Sequence, residues 1–338
     1  MNLFETLKEL TAAAGVAGEE NSAAFTVKKM LDEYGKAEIT PYGNVLCRVG
    51  EFSQNKPTIL LDAHIDEIGM IVSYITDDGF LKVSNCGGLD RRVLLAQQVT
   101  IYGKQKLTGF VTSTPPHLEK GNSAVPEIDD IYIDTGLSGE QARSLVNLGD
   151  KVLIENALEK MQGSRVTSKA LDDRCGCAAI LLVLDLIRDK KLDCNIIVLF
   201  STQEETGERG AQTGAYDLNA DMAVVVDVSF AKTNGEADED CGRLGKGAMI
   251  GFAPSLSRKM SNDFVSLAEK ENIPYQLEVM NGKTGTNADA IGVTQNGIAC
   301  VTISIPEKHM HTPVEIVDLK DIENTAKLIA KYLESVGK

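Results

Sequence analysis

The sequence predicts an α/β fold, with a mixed, mostly parallel sheet flanked by helices and an inserted small β-barrel-like domain. Three observations support it: continuously apolar runs that end in polar residues, helical periodicity between them, and a change of pattern in one internal segment. The apolar runs cover residues 58–61, 196–200, 223–226 and 300–305. Such runs are typical of strands buried on both faces of a parallel sheet.

Helical patterns lie between and around these runs. They cover residues 4–14, 23–34, 177–188, 262–270 and 319–333. The alternation of strands with helices indicates an α/β core. In open sheets of this kind, ligands bind beyond the carboxyl ends of the strands. We therefore look for a functional site among the polar residues that follow the apolar runs.

From residue 69 to residue 166 the pattern changes to short strand-like pieces, broken by Gly, Pro and Asp-Gly turns. We interpret 69–166 as an inserted β-rich domain with a small barrel. Residues 1–68 and 167–338 then form the catalytic α/β domain. Two domains also suit a chain of 338 residues, which exceeds the usual size of one hydrophobic core.

The composition excludes several function classes. Asp and Glu number 49 against 34 Lys and Arg, and the net charge of -15 disfavours nucleic acid and membrane surfaces as partners. No apolar run is long enough to span a bilayer, and the first ten residues do not resemble an export signal. The seven scattered cysteines predict free thiols in a reducing compartment. We therefore expect a cytoplasmic protein.

Two pairs of polar residues open the candidate site. His64 and Asp66 end the first apolar run, where the carboxylate can orient the imidazole ring. Asp172 and Asp173 precede a predicted helix, and helix capping accounts for only one of them. The other aspartate is free to bind a metal ion.

The later runs add four more candidates. Glu204 and Glu205 follow the second run, where desolvation and mutual repulsion disfavour two charged carboxylates unless cations neutralise them. With Glu205 on a metal, Glu204 is free to act as a general base. Asp227 and His311 follow the third and fourth runs. Each has an ordinary structural explanation alone, so their joint occurrence at strand ends is the evidence.

Two histidines and three carboxylates can hold two adjacent divalent ions, with one carboxylate shared. The predicted ligands are His64, Asp172, Glu205, Asp227 and His311. We expect zinc, with cobalt or manganese as alternatives. Two such ions lower the pKa of a bridging water and polarise an amide carbonyl.

These motifs resemble those of the M42 family of cocatalytic metallo-aminopeptidases, which includes glutamyl and deblocking aminopeptidases and some members labelled endoglucanases. The matching stretches in the α/β part are 63–69, 171–174, 203–207, 226–228 and 311–315. Those in the insertion are Gly87-Gly88, Pro115-Pro116-His117 and 132–136. The resemblance covers nearly the whole chain.

The resemblance implies a role for each candidate residue. His64 and Asp227 hold one ion, Glu205 and His311 hold the other, and Asp172 bridges them. Glu204 is the catalytic glutamate, and Asp66 and Asp173 support the site. The resemblance also implies short peptides with a free N-terminus as substrates, and assembly into dimers or dodecamers through the inserted domain.

Several alternatives stay open. His309 competes with His311 for the last ligand position, and the following Thr312-Pro313 favours His311. A related two-metal amidohydrolase, either a deacetylase or a carboxypeptidase, fits the same core. A glycoside hydrolase requires two carboxyl groups but leaves the histidines unexplained. A catalytically silent assembly protein of this fold is disfavoured because all six positions are filled. A preference for acidic N-terminal residues requires a basic group, for which the candidates are Arg243, Lys246 and Lys308.

Overall fold

The computed structural model describes residues 1–113, 117 and 125–337. Its helices are α1 Leu3–Ala12, α2 Asn21–Leu31, α3 Gly139–Leu145, α4 Leu171–Ile187, α5 Arg209–Gly214, α6 Arg258–Glu271, α7 Ala288–Gly292 and α8 Leu319–Ser335. None of the described helices is long and apolar enough to cross a lipid bilayer. Pro115-Pro116, part of one motif quoted above, lies outside the described residues.

Within the described residues, seventeen strands form two sheets. The first nine are β1 Ala37–Ile39, β2 Val45–Val49, β3 Thr58–His64, β4 Gly69–Ile75, β5 Leu81–Cys86, β6 Gln98–Tyr102, β7 Lys106–Val111, β8 Tyr132–Asp134 and β9 Lys151–Leu153. The others are β10 Glu159–Lys160, β11 Arg165–Ser168, β12 Asn195–Ser201, β13 Met222–Phe230, β14 Ala248–Phe252, β15 Tyr275–Val279, β16 Ala299–Lys308 and β17 Glu315–Asp318.

The large sheet is mixed, as the sequence predicts. Its strands run in the order β1-β2-β12-β3-β13-β16-β17-β11-β10, and β14 pairs with β16 and β15. The four central strands β12, β3, β13 and β16 are mutually parallel. They contain the four apolar runs. The short strands on both sides pair antiparallel, so the parallel arrangement is concentrated at the centre.

Helices cover both faces of this sheet. Successive residues of its central strands point to opposite faces, so each strand packs against helices on both sides. In β3, Ile59 and Leu61 join the larger hydrophobic core, with residues of α1, α2, α4, α6 and α8. Leu60, between them, joins a smaller core with residues of α5 and α7. A strand buried on both faces reads as a continuous apolar run, which explains the pattern in the sequence.

The segment after β3 forms a second unit. Strands β4, β5, β8, β7, β6 and β9 close into an antiparallel barrel with its own buried core, which includes Met70, Leu81 and Ile133. The predicted barrel is thereby confirmed. The domain boundaries at 69 and 166 stay a prediction. Strands β10 and β11 belong to the large sheet. The strand pairing therefore favours an insertion that ends soon after β9, before the predicted boundary at residue 166.

Candidate metal centre

Parallel pairing of the central strands brings the candidate residues to one edge of the large sheet. Ser201 pairs with His64, so the loop that carries Glu204 and Glu205 leaves β12 beside the end of β3. Val225 pairs with Asp62, and two residues further along each strand lie Asp227 and His64. Neighbouring parallel strands are about 4.8 Å apart, so these side chains meet.

Asp172 lies between the two histidines. Its Oδ1 is 3.0 Å from Nε2 of His64, and its Oδ2 is 3.4 Å from Nε2 of His311. Burial raises the pKa of Asp172, but the hydrogen bonds with His311 and His64 outweigh this effect and hold the pKa below its usual range. The two oxygens of one carboxylate therefore face two different histidines.

The remaining predicted ligands lie on either side of Asp172. Asp227 Oδ1 is 4.0 Å from Nε2 of His64, and Glu205 Oε1 is 3.5 Å from Nε2 of His311. His311 Nδ1 lies 3.1 Å from the carbonyl oxygen of Gly88, to which it can donate its hydrogen. The structure thus brings all five predicted ligands together, and their role as ligands stays a prediction.

His311 has the left-handed backbone conformation, with φ 61°. Few residues other than glycine adopt it, and such strain is concentrated at functional sites. His309 has the same φ, but its side chain is exposed, and its carbonyl accepts a hydrogen bond from Thr312 Oγ1. Of the two histidines weighed in the sequence analysis, His311 is the one that contacts the cluster.

Asp66 is fully buried and orients both the glutamate pair and His64. Its Oδ1 accepts from the N–H of Glu204 at 3.0 Å, and its Oδ2 accepts from the N–H of Glu205 at 3.1 Å. The Nδ1 of His64 lies 3.2 Å from the Asp66 carbonyl and 3.4 Å from its Oδ1. Because no part of Asp66 is exposed, it acts as a positioning residue.

Asp173, predicted as a supporting residue, also lies close to the cluster. It is fully buried, and one of its oxygens lies within 4.8 Å of ligand atoms of His64 and Asp227. Its Oδ1 accepts from the N–H of Gly176 at 3.0 Å. Asp172 and Asp173 lie within the range of α4, but neither has helical dihedral angles. The peptide bond between them is cis.

The charges of this cluster do not balance. Burial raises the pKa of Glu205, Asp227 and Asp173 well above their ordinary values, and neighbouring carboxylates add to the effect. Burial lowers the pKa of His64, but hydrogen bonds to Asp172 and Asp66 outweigh this and raise it. Two histidines cannot neutralise so many acids, so the donor set fits divalent cations.

Glu204 lies in the same cavity as the predicted ligands, as a general base requires. Burial raises its pKa to about 7, and Asp172 and Asp66 contribute, while His64 opposes the shift. A carboxyl group with a pKa near neutrality is suited both to accept a proton and to return it.

Two buried glutamates, Glu307 and Glu315, lie behind the predicted ligands, and the sequence motifs predicted no role for them. Glu315 Oε2 accepts from the N–H groups of Leu171 at 2.6 Å and Asp172 at 3.2 Å, which fixes the backbone of the predicted bridging residue. Both carboxyl oxygens of Glu307 lack a hydrogen-bond partner among the described atoms. Burial raises the pKa of Glu307, and Glu315 adds to the effect. The only signal in the sequence is an acid within or beside an apolar strand.

A cavity of about 620 Å³ opens onto the cluster. Its lining includes residues of β13, β14, β15 and β16, the 238–241 segment and the 284–286 loop, together with Asp172, Glu204, Glu205 and His311. This volume is typical of small-molecule sites. His64 and Asp66 lie behind the lining residues and are almost completely buried.

Comparison with known proteins decides the family. The sequence profile described as "M42 glutamyl aminopeptidase" matches residues 43–328. The chain belongs to the M42 peptidase family. The aminopeptidase APDkam598 of the archaeon Desulfurococcus kamchatkensis is 34% identical to this M42 peptidase, with a TM-score of 0.92 over 99% of this chain and 95% of that one.

Two further relatives extend the comparison. A lysyl aminopeptidase of Pyrococcus furiosus is 29% identical over 98% of this M42 peptidase and 97% of the relative. The Pyrococcus horikoshii TET1 peptidase, which can assemble into a tetrahedron or a large octahedral shell, is 30% identical, with a TM-score of 0.88 over 99% and 100% of the two chains. These matches span the whole length of the relatives. The protein is therefore a peptidase of a family with aminopeptidase activity, and that family implies divalent metal ions.

Proposed function

We propose that this M42 peptidase removes N-terminal residues from short peptides, with two divalent ions and with Glu204 as the general base. The proposed ligands are His64, Asp172, Glu205, Asp227 and His311. The observation that carries the proposal is the position of Asp172, whose two carboxylate oxygens face two different histidines. A carboxylate shared between two ions needs that arrangement.

Each group has a defined task in peptide hydrolysis. His64 and Asp227 would hold one ion, Glu205 and His311 the other, and Asp172 both. Divalent ions bound there supply Lewis acidity that polarises the scissile carbonyl and acidifies water. Glu204 takes a proton from the attacking water and delivers it to the departing amine. Asp66 holds the backbone of Glu204 and so fixes the base.

The charge of the cavity favours an aminopeptidase over a carboxypeptidase. Among its described lining residues there is no lysine or arginine, whereas five acids that are not proposed metal ligands are present: Glu204, Asp238, Glu239, Asp240 and Glu278. A free α-amine is a cation and is attracted to such a cavity. A free α-carboxylate is repelled by it.

The mixed nitrogen and oxygen ligands favour zinc, with cobalt or manganese as alternatives. We further propose assembly into dimers or dodecamers through the inserted barrel domain, because a TET1 peptidase similar to this chain forms a dodecamer. All seven cysteines are free thiols, which supports a reducing compartment such as the cytoplasm. Light scattering on the purified protein measures the assembly directly.

The activity is tested with three matched substrates: an aminoacyl-p-nitroanilide with a free amine, its N-acetylated form, and a peptide whose only accessible end is its C-terminus. We expect cleavage of the free-amine substrate alone, loss of cleavage with a chelator, and recovery with Zn²⁺, Co²⁺ or Mn²⁺. Cleavage of only the acetylated substrate would establish a deacetylase instead. Activity that survives complete chelation would rule out the two-metal mechanism.

A further inference from the structure

Four carboxylates that line the cavity have no task in the proposed hydrolysis: Asp238, Glu239 and Asp240, which lie in the segment between β13 and β14, and Glu278, which lies on a strand of the large sheet. Glu278 lies on β15, and its Oε1 and Oε2 accept hydrogen bonds from the hydroxyl groups of Ser229 and Ser304, the latter at 2.8 Å. Ser229 lies on β13 and Ser304 on β16. Glu278 is thus held across two strands of the large sheet, and it lines the cavity.

The two serines place Glu278 close to the candidate metal centre. Ser229 lies two residues beyond Asp227 on the same strand and therefore on the same face of the sheet. Ser304 is the register partner of Asp227 on the neighbouring strand. Residues two apart in a strand are separated by about 7 Å, and neighbouring strands by about 5 Å. The distance from the Glu278 carboxylate to Asp227 is therefore about the length of one amino-acid side chain.

The cavity that Glu278 shares with Asp227 has both polar and apolar walls. The apolar walls include Phe230, Met249, Leu277, Met280 and Met310. A cavity that combines apolar walls with a carboxylate matches a long aliphatic side chain that carries a cation at its tip. Lysine and arginine are the amino acids with that shape.

The protein itself supplies no cation to Glu278 from within the cavity. None of Arg243, Lys246 and Lys308, the basic candidates from the sequence, is among its described lining residues. Lys232 and Arg243 each pair with Asp238, which is itself a lining residue. Lys283 is exposed, and its charge acts on Glu208.

We infer that Glu278 is a specificity-determining residue that binds the side chain of a basic N-terminal residue, lysine or arginine. The inference rests on the proposed aminopeptidase function. The aliphatic stem of the substrate side chain lies along the apolar walls, and its cationic tip donates charge-assisted hydrogen bonds to the carboxylate. An acidic N-terminal side chain meets like charge in the same place and is excluded.

A purely structural role of Glu278 makes a different prediction. If the carboxylate only joins β15 to β13 and β16 through the two serines, its removal loosens the cavity for every ligand equally. If the Glu278 carboxylate binds the substrate side chain, its removal weakens the binding only of ligands with a cationic tip. Lysine and norleucine separate the two roles, because norleucine is lysine with its ε-ammonium group replaced by hydrogen.

The test measures binding of L-lysine, L-norleucine and L-glutamate to the metal-loaded full-length protein by calorimetry, with the wild type, Glu278→Gln and Glu51→Gln. Glu51 is exposed and lies far from β15 in sequence, so its variant controls for the loss of one negative charge. We expect the wild type to bind lysine about tenfold to a hundredfold more tightly than norleucine. Glu278→Gln brings that ratio to about one and leaves norleucine affinity unchanged, while Glu51→Gln behaves like the wild type.

Three results would overturn the inference: norleucine or glutamate binding at least as tightly as lysine, a ratio unchanged in Glu278→Gln, or an equal loss of lysine and norleucine binding in that variant. Cleavage of lysyl and norleucyl p-nitroanilides is measured in parallel. If neither p-nitroanilide is cleaved although lysine still binds more tightly than norleucine, the proposed function is contradicted and the role of Glu278 stays supported.

Discussion

Two buried clusters of charged residues lie next to each other and differ in how their charge is balanced. In the first, called here the neutralised cluster, Glu67 contacts Lys169 at 2.7 Å and Arg174 at 3.7 Å. The second, called here the acidic cluster, comprises His64, Asp172, Asp173, Glu205, Asp227 and His311. The same chain segments, 64–67 and 169–174, contribute to both.

The comparison shows what separates a structural cluster of charges from one that needs a ligand. Burial of a charge is unfavourable unless an opposite charge and hydrogen bonds compensate it. Glu67 has both, because Gly15 also donates its N–H to it at 2.9 Å. The carboxylates of the acidic cluster have only two histidines. The Glu67 carboxylate is compensated within the chain, whereas we propose that divalent cations complete the acidic cluster.

The largest expected effect concerns the base beside the acidic cluster. Glu204→Gln keeps the shape of the side chain but cannot accept a proton, so we expect kcat/KM on an aminoacyl-p-nitroanilide to fall by about a thousandfold. Metal content, measured by elemental analysis, stays at the wild-type level because Glu204 is not a proposed ligand. A variant with wild-type turnover would disprove its role as base.

The neutralised cluster should respond in stability. Lys169→Met removes the nearest cation from Glu67 and leaves Arg174 and the Gly15 N–H as its partners, so we expect a loss of about 1.5–3 kcal/mol in the free energy of unfolding. Urea denaturation measures the loss, which should be the same with and without metal. As a control, Lys28→Met disrupts the surface pair with Asp32 and should change stability little. A loss in Lys169→Met that appears only in the metal-loaded protein would mean that the two clusters are not independent.

The acidic cluster should respond to metal. A ligand that binds only the folded state at a hundred times its dissociation constant stabilises it by about 2.7 kcal/mol. Removal of divalent ions with a chelator should therefore lower the unfolding temperature, and Zn²⁺, Co²⁺ or Mn²⁺ should restore it. Asp172→Asn should lose most of this response. If that variant and the wild type are stabilised equally by metal, Asp172 is not a shared ligand.

The smallest effect is a pH dependence of the chelator-treated protein. Burial raises the pKa of Glu204 from 4.5 to about 7, so the folded state binds a proton that the unfolded state has released. Its contribution to stability is complete below about pH 4.5 and is lost as the pH rises to about 7. Glu204→Gln removes this titration. Urea unfolding at pH 5 and pH 8 should therefore show the variant gaining stability relative to the wild type at the higher pH.

Features repeated along the chain were predictable from the sequence. The four apolar runs correspond to β3, β12, β13 and β16, and the predicted helix 262–270 lies within α6. The strand-like pieces of the insertion, predicted at 70–75, 80–83, 98–102, 106–111 and 151–155, correspond to β4, β5, β6, β7 and β9. Each is encoded by periodicity within a few residues, and the parallel order of the central strands then brings the polar strand ends together.

Features that depend on distant partners were not predictable. Short β11 is defined by antiparallel pairing with β17, about 150 residues later in the sequence. The predicted helix 177–188 corresponds to α4, whose range begins at Leu171; Asp172 and Asp173 near its start are not helical, and Glu315 accepts the first backbone N–H groups. In the sequence, Glu278 is one polar residue in a strand with alternating polar and apolar residues, and nothing marks it as functional. Its position in the cavity depends on serines from two other strands.

The loop after β5 joins the barrel to the candidate metal centre. A Cβ atom on Gly88 would lie 2.6 Å from Nδ1 of His311, and one on Gly87 would lie 3.2 Å from the Cβ of Glu205. Neither position has room for a side chain, and Gly87 also has a φ of +81° that favours glycine. These two positions therefore restrict how the barrel can be joined to the large sheet. Grafting another barrel onto this sheet would succeed only if the graft presents two glycines to the ligands.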